Sequence, residues 1–501
     1  VFIGGSESMR ITLATPPFLS QNPHEPLSPP LGIASLGASL ESAGHEVSLI
    51  DAAIEGHPVP VGNGIFRMGL APNELARRIL QSLPDLVGLS CPFSTRYHFF
   101  HETLGILRDL LPEIPVIVGG IHPTLLPGRI LERDQPDLII LGEGEATFTE
   151  WVERFEQGSA VDLSGLDGVA WMQDGKPVIY PRTSWIAELD HLPPPALHLL
   201  PVERYLARSG GRWASRFQSV IPVQTSRSCP GRCSFCSVHS VMGPIWRAHS
   251  AEYVLDELAK IDDTWHPDLI AFEDDRITWD RDRMAALCEG MIDHRFGFRW
   301  YTPNGVHVTD LDEELLRLMK QSGCQSLNLA IESGDEHLLH SIIGKKGSER
   351  KTREVAQVCL DLGIRLNAYF VIGMPGETEV SLEKSIRLAE TLPLDGLGVF
   401  IATPFPGTRL FRECVGNGWL DEESYMSLLE DGSDSTLLNT PLFETDTMPE
   451  DRLLAGKQEF EKRFMRSLYR RRPMTRVKHA VRATLDFGSS LLGGVSKRVA
   501  E

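Results

Sequence analysis

The chain has 501 residues, 42% hydrophobic and 23% charged, proportions that exclude wholesale disorder and leave room for two or three domains. A formal net charge of −19 argues against a general nucleic-acid binder. No apolar run approaches the ~20 residues that span a bilayer, residues 1–8 read as a tag remnant ahead of Met9 with no secretory pattern, and eight cysteines are too few for a disulfide scaffold, so a cytoplasmic, reducing location is expected.

Residues 9–158 alternate short aliphatic runs (10–15, 46–51, 86–90, 116–120, 137–141) with amphipathic stretches (31–43, 73–83, 97–111). That alternation predicts a parallel, doubly wound sheet. Its ligand belongs outside the carboxyl ends of the strands. The residues there are Pro16-Pro17, Ser90-Cys91-Pro92, Gly119-Gly120-Ile121-His122-Pro123 and Gly142-Glu143-Gly144-Glu145. No Gly-x-Gly-x-x-Gly follows the first strand, which weakens a nicotinamide reading.

Residues 159–219 read as a linker. They hold a hairpin (169–172 and 177–180) turning at Asp174-Gly175, then a rigid Pro193-Pro194-Pro195 stretch. From 220 to 410, strand patterns (221–225, 269–273, 299–302, 326–332, 366–372, 398–402) alternate with helical ones (251–261, 281–294, 312–322, 349–362, 381–392). Six strands and five helices predict an open, partial (β/α) barrel with chemistry at the C-terminal ends of its strands. Tyr301, Asn304, Asn328 and Tyr369 point inward by strand position, as lumen groups or as packing. Residues 411–501 read as mostly helical, and 461–501 carry eleven Lys/Arg against three Asp/Glu. Three readings stay open for this basic C-terminal segment: a solvated face, a lid, or a peripheral membrane contact.

The sharpest motif is Thr225-Ser-Arg-Ser-Cys229-Pro-Gly-Arg-Cys233-Ser-Phe235-Cys236, three cysteines spaced x3 and x2 directly after a strand. Three thiolates on one loop can hold three irons of a cubane cluster and leave the fourth open to an exchangeable ligand. Gly231 relieves crowding in such a loop. A zinc site is the bland alternative, with His239 as a fourth ligand.

This loop, with Phe235 before the last cysteine, resembles the radical S-adenosylmethionine (SAM) signature. Phe272-Glu273-Asp274-Asp275 resembles that family's acidic site for the SAM amino group. Ala330-Ile-Glu332-Ser333-Gly334 is similar to its fourth-strand motif, contacting the ribose and amino-acid moiety, and Val371-Ile-Gly373-Met-Pro-Gly-Glu377 to its fifth-strand motif near adenine. The stretch from Pro29-Pro-Leu-Gly-Ile-Ala-Ser-Leu-Gly-Ala-Ser-Leu40 to Gly44-His-Glu-Val47 and Asp51 resembles cobalamin-binding domains fused to such barrels, as do Gly119-Gly-Ile-His-Pro-Thr124, Leu141-Gly-Glu-Gly-Glu145 and Leu189-Asp-His-Leu-Pro-Pro-Pro195. The Asp-x-His-x-x-Gly motif that supplies a lower cobalt ligand is missing, since Ile54 stands in Asp51-Ala-Ala-Ile-Glu-Gly56 without a histidine.

The resemblance implies an α/β chain: a Rossmann-like cobalamin-binding domain (9–158), a linker (159–219), a partial (β/α)6 radical SAM barrel (220–410) and a helical C-terminal region (411–501). It implies three cofactors: a [4Fe–4S] cluster on Cys229, Cys233 and Cys236, SAM, and cobalamin as methylcobalamin. Phe235, Glu273, Asp274, Glu332, Ser333 and Gly373 are the expected SAM-side contacts. Pro17, Ser90, Gly119, Gly120, His122, Gly142 and Glu143 are the expected cobalamin-side contacts, with His122 touching the corrinoid without ligating cobalt. The implied activity is methylation of an unactivated carbon of a small-molecule or lipid-like substrate, with electrons from a donor such as flavodoxin or ferredoxin. A cyclase or ring-rearranging enzyme with the same cofactors is the alternative, and a cobalamin-binding sensor with a degenerate barrel is a third reading.

Overall fold

The computed structural model describes residues 8–158, 162–208, 218–430, 440–445 and 447–474. Strands β1 (Arg10–Thr15), β2 (Glu46–Asp51), β3 (Leu86–Ser90), β4 (Val116–Gly119), β5 (Leu138–Ile140), β6 (Val169–Gln173) and β7 (Lys176–Tyr180) form one sheet in the order β7-β6-β5-β4-β3-β1-β2. The first five pair in parallel and the last two are antiparallel. Strand order reverses at β1, which opens a crevice at the carboxyl ends beside it. The hairpin β6–β7 therefore extends the first sheet instead of belonging to a tether, so the expected boundary at 158 falls inside a continuous sheet. The proline-rich stretch is likewise packed: Ala196 N donates to Ala34 O at 2.9 Å, and Asp190 accepts from Ser250 N at 2.9 Å.

The second sheet is wholly parallel and in chain order: β8 (Val220–Val223), β9 (Leu269–Phe272), β10 (Arg299–Val306), β11 (Cys324–Glu332), β12 (Arg365–Ile372) and β13 (Gly396–Ile401). Helices Ala251–Trp265, Arg281–His294, Glu313–Gln321, Glu349–Leu362 and Glu379–Thr391 connect them. Each starts at a side-chain cap: Ser250, Asp280, Asp312, Ser348 and Thr378 each accept from the backbone N–H three residues on. Each cap contributes about 1 kcal/mol and fixes where its helix begins.

A continuous apolar core runs from Ile11, Leu13 and Phe148 through Leu197, Val202 and Tyr205 to Val254, Phe272 and Trp300. The two sheets therefore share one buried interior. Helix Glu450–Arg471 lays Leu453, Gly456, Phe460, Phe464 and Leu468 inward against the barrel, with Phe460 edge-on to Phe370 at 5.1 Å. Arg463 bonds Glu383 and Glu390, each at 2.6 Å. The aromatic side of this basic helix is thus occupied by the protein itself, which removes it as the apolar face of a membrane contact. No helix among the described residues is long and apolar enough to cross a membrane. The rest of the basic tail, 475–501, lies outside the described residues.

Candidate functional site

The cysteine loop leaves β8 and is held at several points. Ser226 and Arg227 pair antiparallel with Ala248 and Arg247. Ser228 takes a positive φ of 70° and donates through Oγ to Gly243 O at 2.5 Å. Ser234 N donates to Ile343 O at 2.8 Å, and Leu410 N donates to Ser234 O at 2.9 Å. A Cβ on Gly231 would sit 3.3 Å from the Cys229 sulfur. A glycine there spares that sulfur the crowding and lets the Gly231 N–H donate to it at 3.4 Å.

His239 Nε2 lies 2.6 Å from the Cys229 carbonyl oxygen, so that nitrogen carries the proton and donates. Only Nδ1 then keeps a lone pair that a metal could use. Among the described residues no three His, Cys, Asp or Glu side chains converge around a single ion. A cubane binds each thiolate through a different iron and holds the sulfurs apart. The donor set is therefore three sulfurs spread over one loop, which fits a cluster better than mononuclear zinc. Burial pushes the Cys233 thiol up to about 11, so iron has to displace its proton on binding.

At the end of β9, Glu273 and Asp274 part company. Asp274 accepts from Thr225 N at 3.1 Å, Thr225 Oγ1 at 2.9 Å and Ser226 Oγ at 2.5 Å. It is 2% exposed and anchors the strand that launches the cysteine loop. The expected ligand contact of Asp274 is thereby corrected: its acceptor capacity is used inside the protein. Glu273 takes a side-chain hydrogen bond from Asn304, while burial and then the neighbouring Asp274 push its carboxyl up to about 7. Glu332 closes β11 with a positive φ of 65° at a register shift, and its Oε1 accepts from Lys345 Nζ at 2.7 Å. A non-glycine residue in that conformation is strained, which the packing around a site can sustain. Ser333 turns toward the helix behind, where its Oγ accepts from Asp335 N at 3.1 Å and lies 3.4 Å from Ser385 Oγ. This turns its hydroxyl away from the expected cofactor contact.

Gly373, at a φ of 82°, donates its N–H to the Glu377 carboxylate. A Cβ there would lie 2.7 Å from Leu453 of the C-terminal helix. Phe235 packs with Leu338, Ile343 and Phe411.

A cavity of about 190 Å³ opens between the two sheets. Ser90, Gly119, Gly120, Gly142 and Glu143 line it, as their strand-end positions predict. Gly120, at a φ of 100°, has Cys91 O 2.6 Å from where a Cβ would stand, while a Cβ at Gly32 would meet nothing within 4 Å. The bare backbone walls leave room for a bulky ligand, and the residues present fit a corrinoid.

Two expected contacts lie elsewhere. Pro17 is buried beyond the cavity lining. His122 sits behind the sheet at 2% exposure, with Nδ1 3.0 Å from Ser94 Oγ and its ring 4.6 Å from that of Tyr97. Burial and Arg129 push it down to about 3, so it is neutral. The cause is local: His122 is the second residue of the short helix Ile121–Leu125, which turns its side chain back under the sheet.

Sequence reading missed the barrel's share of this cavity. Arg227, two residues before Cys229, lines it and pairs with Glu145 at 2.6 Å and Glu143 at 3.3 Å. Arg247 holds Glu143 at 2.8 Å, and Ser35 Oγ donates to Glu145 at 2.8 Å. His249, Tyr253 and Glu257 line the cavity from the barrel side. Paired acids in Gly142-Glu143-Gly144-Glu145 were the only sequence signal for this network.

Comparison with known proteins agrees with this layout. The B12 binding domain model matches residues 25–152 and the Radical SAM superfamily model matches residues 223–389. The chain is 31% identical to cytidylyl-2-hydroxyethylphosphonate methyltransferase of Streptomyces wedmorensis, over 79% of each protein. It is 30% identical to an uncharacterized methyltransferase of Pyrococcus horikoshii, covering 82% of this chain and 84% of that one. Its fold matches that of the radical S-adenosylmethionine methyltransferase TsrM from Kitasatospora setae, solved with cobalamin and a [4Fe–4S] cluster. The TM-score is 0.67 at 18% identity, covering 82% of this chain and 78% of that one.

Proposed function

The chain belongs to the cobalamin-dependent radical SAM enzymes, and from that premise we propose that it is a methyltransferase acting on an unactivated carbon of a small molecule. The observation that carries this reading is the adjacency of the two sites. Arg227 forms part of the corrinoid cavity wall, and two residues later the same backbone reaches the first cysteine of the loop. Bound there, the cofactors would supply radical abstraction of a substrate hydrogen and a transferable methyl group.

The chain's own residues bind, orient and exclude water. Cys229, Cys233 and Cys236 hold three irons and leave one for SAM. Glu273, poised near neutrality, accepts a hydrogen bond from the SAM amino group. Glu332, fixed by Lys345, and the Gly373 turn bound the nucleoside. Inside the barrel, Tyr369 donates to Pro303 O at 2.6 Å and Asn367 Nδ2 donates to Asn328 Oδ1 at 2.7 Å. That buried amide network forms a polar floor beneath a substrate at the strand ends. A flavodoxin- or ferredoxin-like protein is the proposed reductant, and a lipid-like substrate is the narrower variant of this reading.

The test is anaerobic turnover of the reconstituted enzyme with candidate small molecules, with both SAM-derived products quantified by mass spectrometry. Methyl transfer gives S-adenosylhomocysteine and 5′-deoxyadenosine in comparable, substrate-dependent amounts. Substrate-dependent 5′-deoxyadenosine alone would favour the cyclase or ring-rearranging reading, and no SAM cleavage under strong reductant would favour a sensor.

A further inference from the structure

Glu257 lies on the barrel's first helix, Ala251–Trp265, within the lining of the corrinoid cavity. It is 7% exposed, and among the described residues no hydrogen bond or ion pair reaches its carboxyl group. Two polar neighbours on the same helix side of the cavity, Tyr253 and His249, are partnered. Tyr253 donates its hydroxyl to Leu192 O at 2.9 Å, and His249 stacks on Tyr253 at 4.1 Å with its Nδ1 3.2 Å from Asp190. Leu13, Gly88 and Phe148, which also line the cavity, offer no polar partner. The residue is buried overall, and its unpartnered carboxyl belongs to the cavity lining, where a ligand's polar group can complete it.

We propose that Glu257 is a corrinoid-binding residue supplied by the barrel, its carboxyl hydrogen-bonded to an amide or hydroxyl group of the ligand. Such a group occurs both on the corrin periphery and on the nucleotide tail. Burial, then the charge of Asp274, push the Glu257 carboxyl up to about 7, so a neutral partner suits it better than a phosphate. The assignment rests on the corrinoid reading above and adds to it that the barrel, not only the first sheet, sets corrinoid affinity.

The experiment measures hydroxocobalamin binding to the full chain by equilibrium dialysis, for wild type, E257Q and E257L, with the thermal midpoint of each ligand-free protein. E257L should bind about tenfold more weakly, the worth of one hydrogen bond in a buried site. E257Q, which keeps an amide for the same bond, should stay within about threefold of wild type. Neither ligand-free midpoint should fall, because the side chain has no internal bond to lose. Dicyanocobinamide, which lacks the tail, locates the contact. A loss with E257L for hydroxocobalamin alone places it on the tail, and equal losses for both probes place it on the corrin periphery. Wild-type affinity in E257L, or a loss matched by a lower ligand-free midpoint, would overturn the assignment. Failure of the wild-type chain to bind hydroxocobalamin would contradict the corrinoid reading itself.

Discussion

Three donors from Thr225 and Ser226 converge on Asp274, tying the end of β9 to the start of the cysteine loop. Asp274→Ala leaves those donors without an acceptor in a buried place. The expected cost is about 1–3 kcal/mol for each buried donor left unsatisfied, read as a lower denaturant midpoint together with reduced iron incorporation. His239 gives a contrasting case. Its ring donates to a carbonyl, so His239→Ala should keep the full iron content after reconstitution, whereas a zinc ligand would lose metal. At this scale the sequence identifies donor types and leaves their partners open. Glu273 and Asp274 are adjacent acids in one motif, and only the fold reveals that Asp274 is already satisfied. His122 is the same lesson in reverse, a strand-end histidine that a short helix turns back into the interior.

Among the elements, the C-terminal helix has the widest consequence. Leu453 fills the space in which a Cβ of Gly373 would stand, and a Cβ at Gly456 would lie 2.6 Å from Leu382. The helix thus braces the Val371–Glu377 turn from outside. Leu453→Ala should cost about 2–4 kcal/mol as a core truncation and weaken SAM binding, measured by equilibrium dialysis, more than it weakens hydroxocobalamin binding. Equal losses of both ligands would assign Leu453 to general stability alone. The barrel helices were legible because apolar periodicity and a Ser, Thr or Asp cap coincide at every start. The small antiparallel sheet of Phe18–Ser20, Pro58–Gly62 and Ile65–Met68 was not. Pro58, Pro60, Gly62 and Gly64 interrupt its alternation, and an edge strand tolerates such residues where a central one does not. The β6–β7 hairpin was recognised as a hairpin, yet its pairing with β5 is a long-range contact that local pattern does not encode.

For the whole molecule, the ion network of Glu143, Glu145, Arg227 and Arg247 is a seam between the two sheets. Burial alone would raise the Glu145 carboxyl, but the charge and hydrogen bond of Arg227, with Ser35, outweigh it and hold Glu145 at about 2. A carboxyl held below its ordinary value of about 4.5 stabilises the fold fully above that pH. The contribution disappears as pH falls toward 2, and is worth about 3 kcal/mol in this buried pair. Urea midpoints should therefore drop between about pH 4.5 and pH 2, and Glu145→Gln should flatten that limb while lowering stability at pH 7. The order of motifs along the chain made both cofactor loops legible. The cavity between them was not, because its walls come from segments such as Gly142–Glu145 and His249–Glu257 that only the shared core brings together.

An iron–sulfur cluster on the cysteine loop and a corrinoid beside it, both in one chain, should be visible in its composition. Metal, sulfide and corrinoid analysis of anaerobically reconstituted full chain, with the Cys229→Ala, Cys233→Ala, Cys236→Ala triple variant alongside, tests it most directly. The expected result is about four iron and four sulfide per wild-type chain, bound corrinoid in both proteins, and loss of iron and sulfide alone in the variant. Stoichiometric zinc without sulfide in the wild-type protein would contradict it.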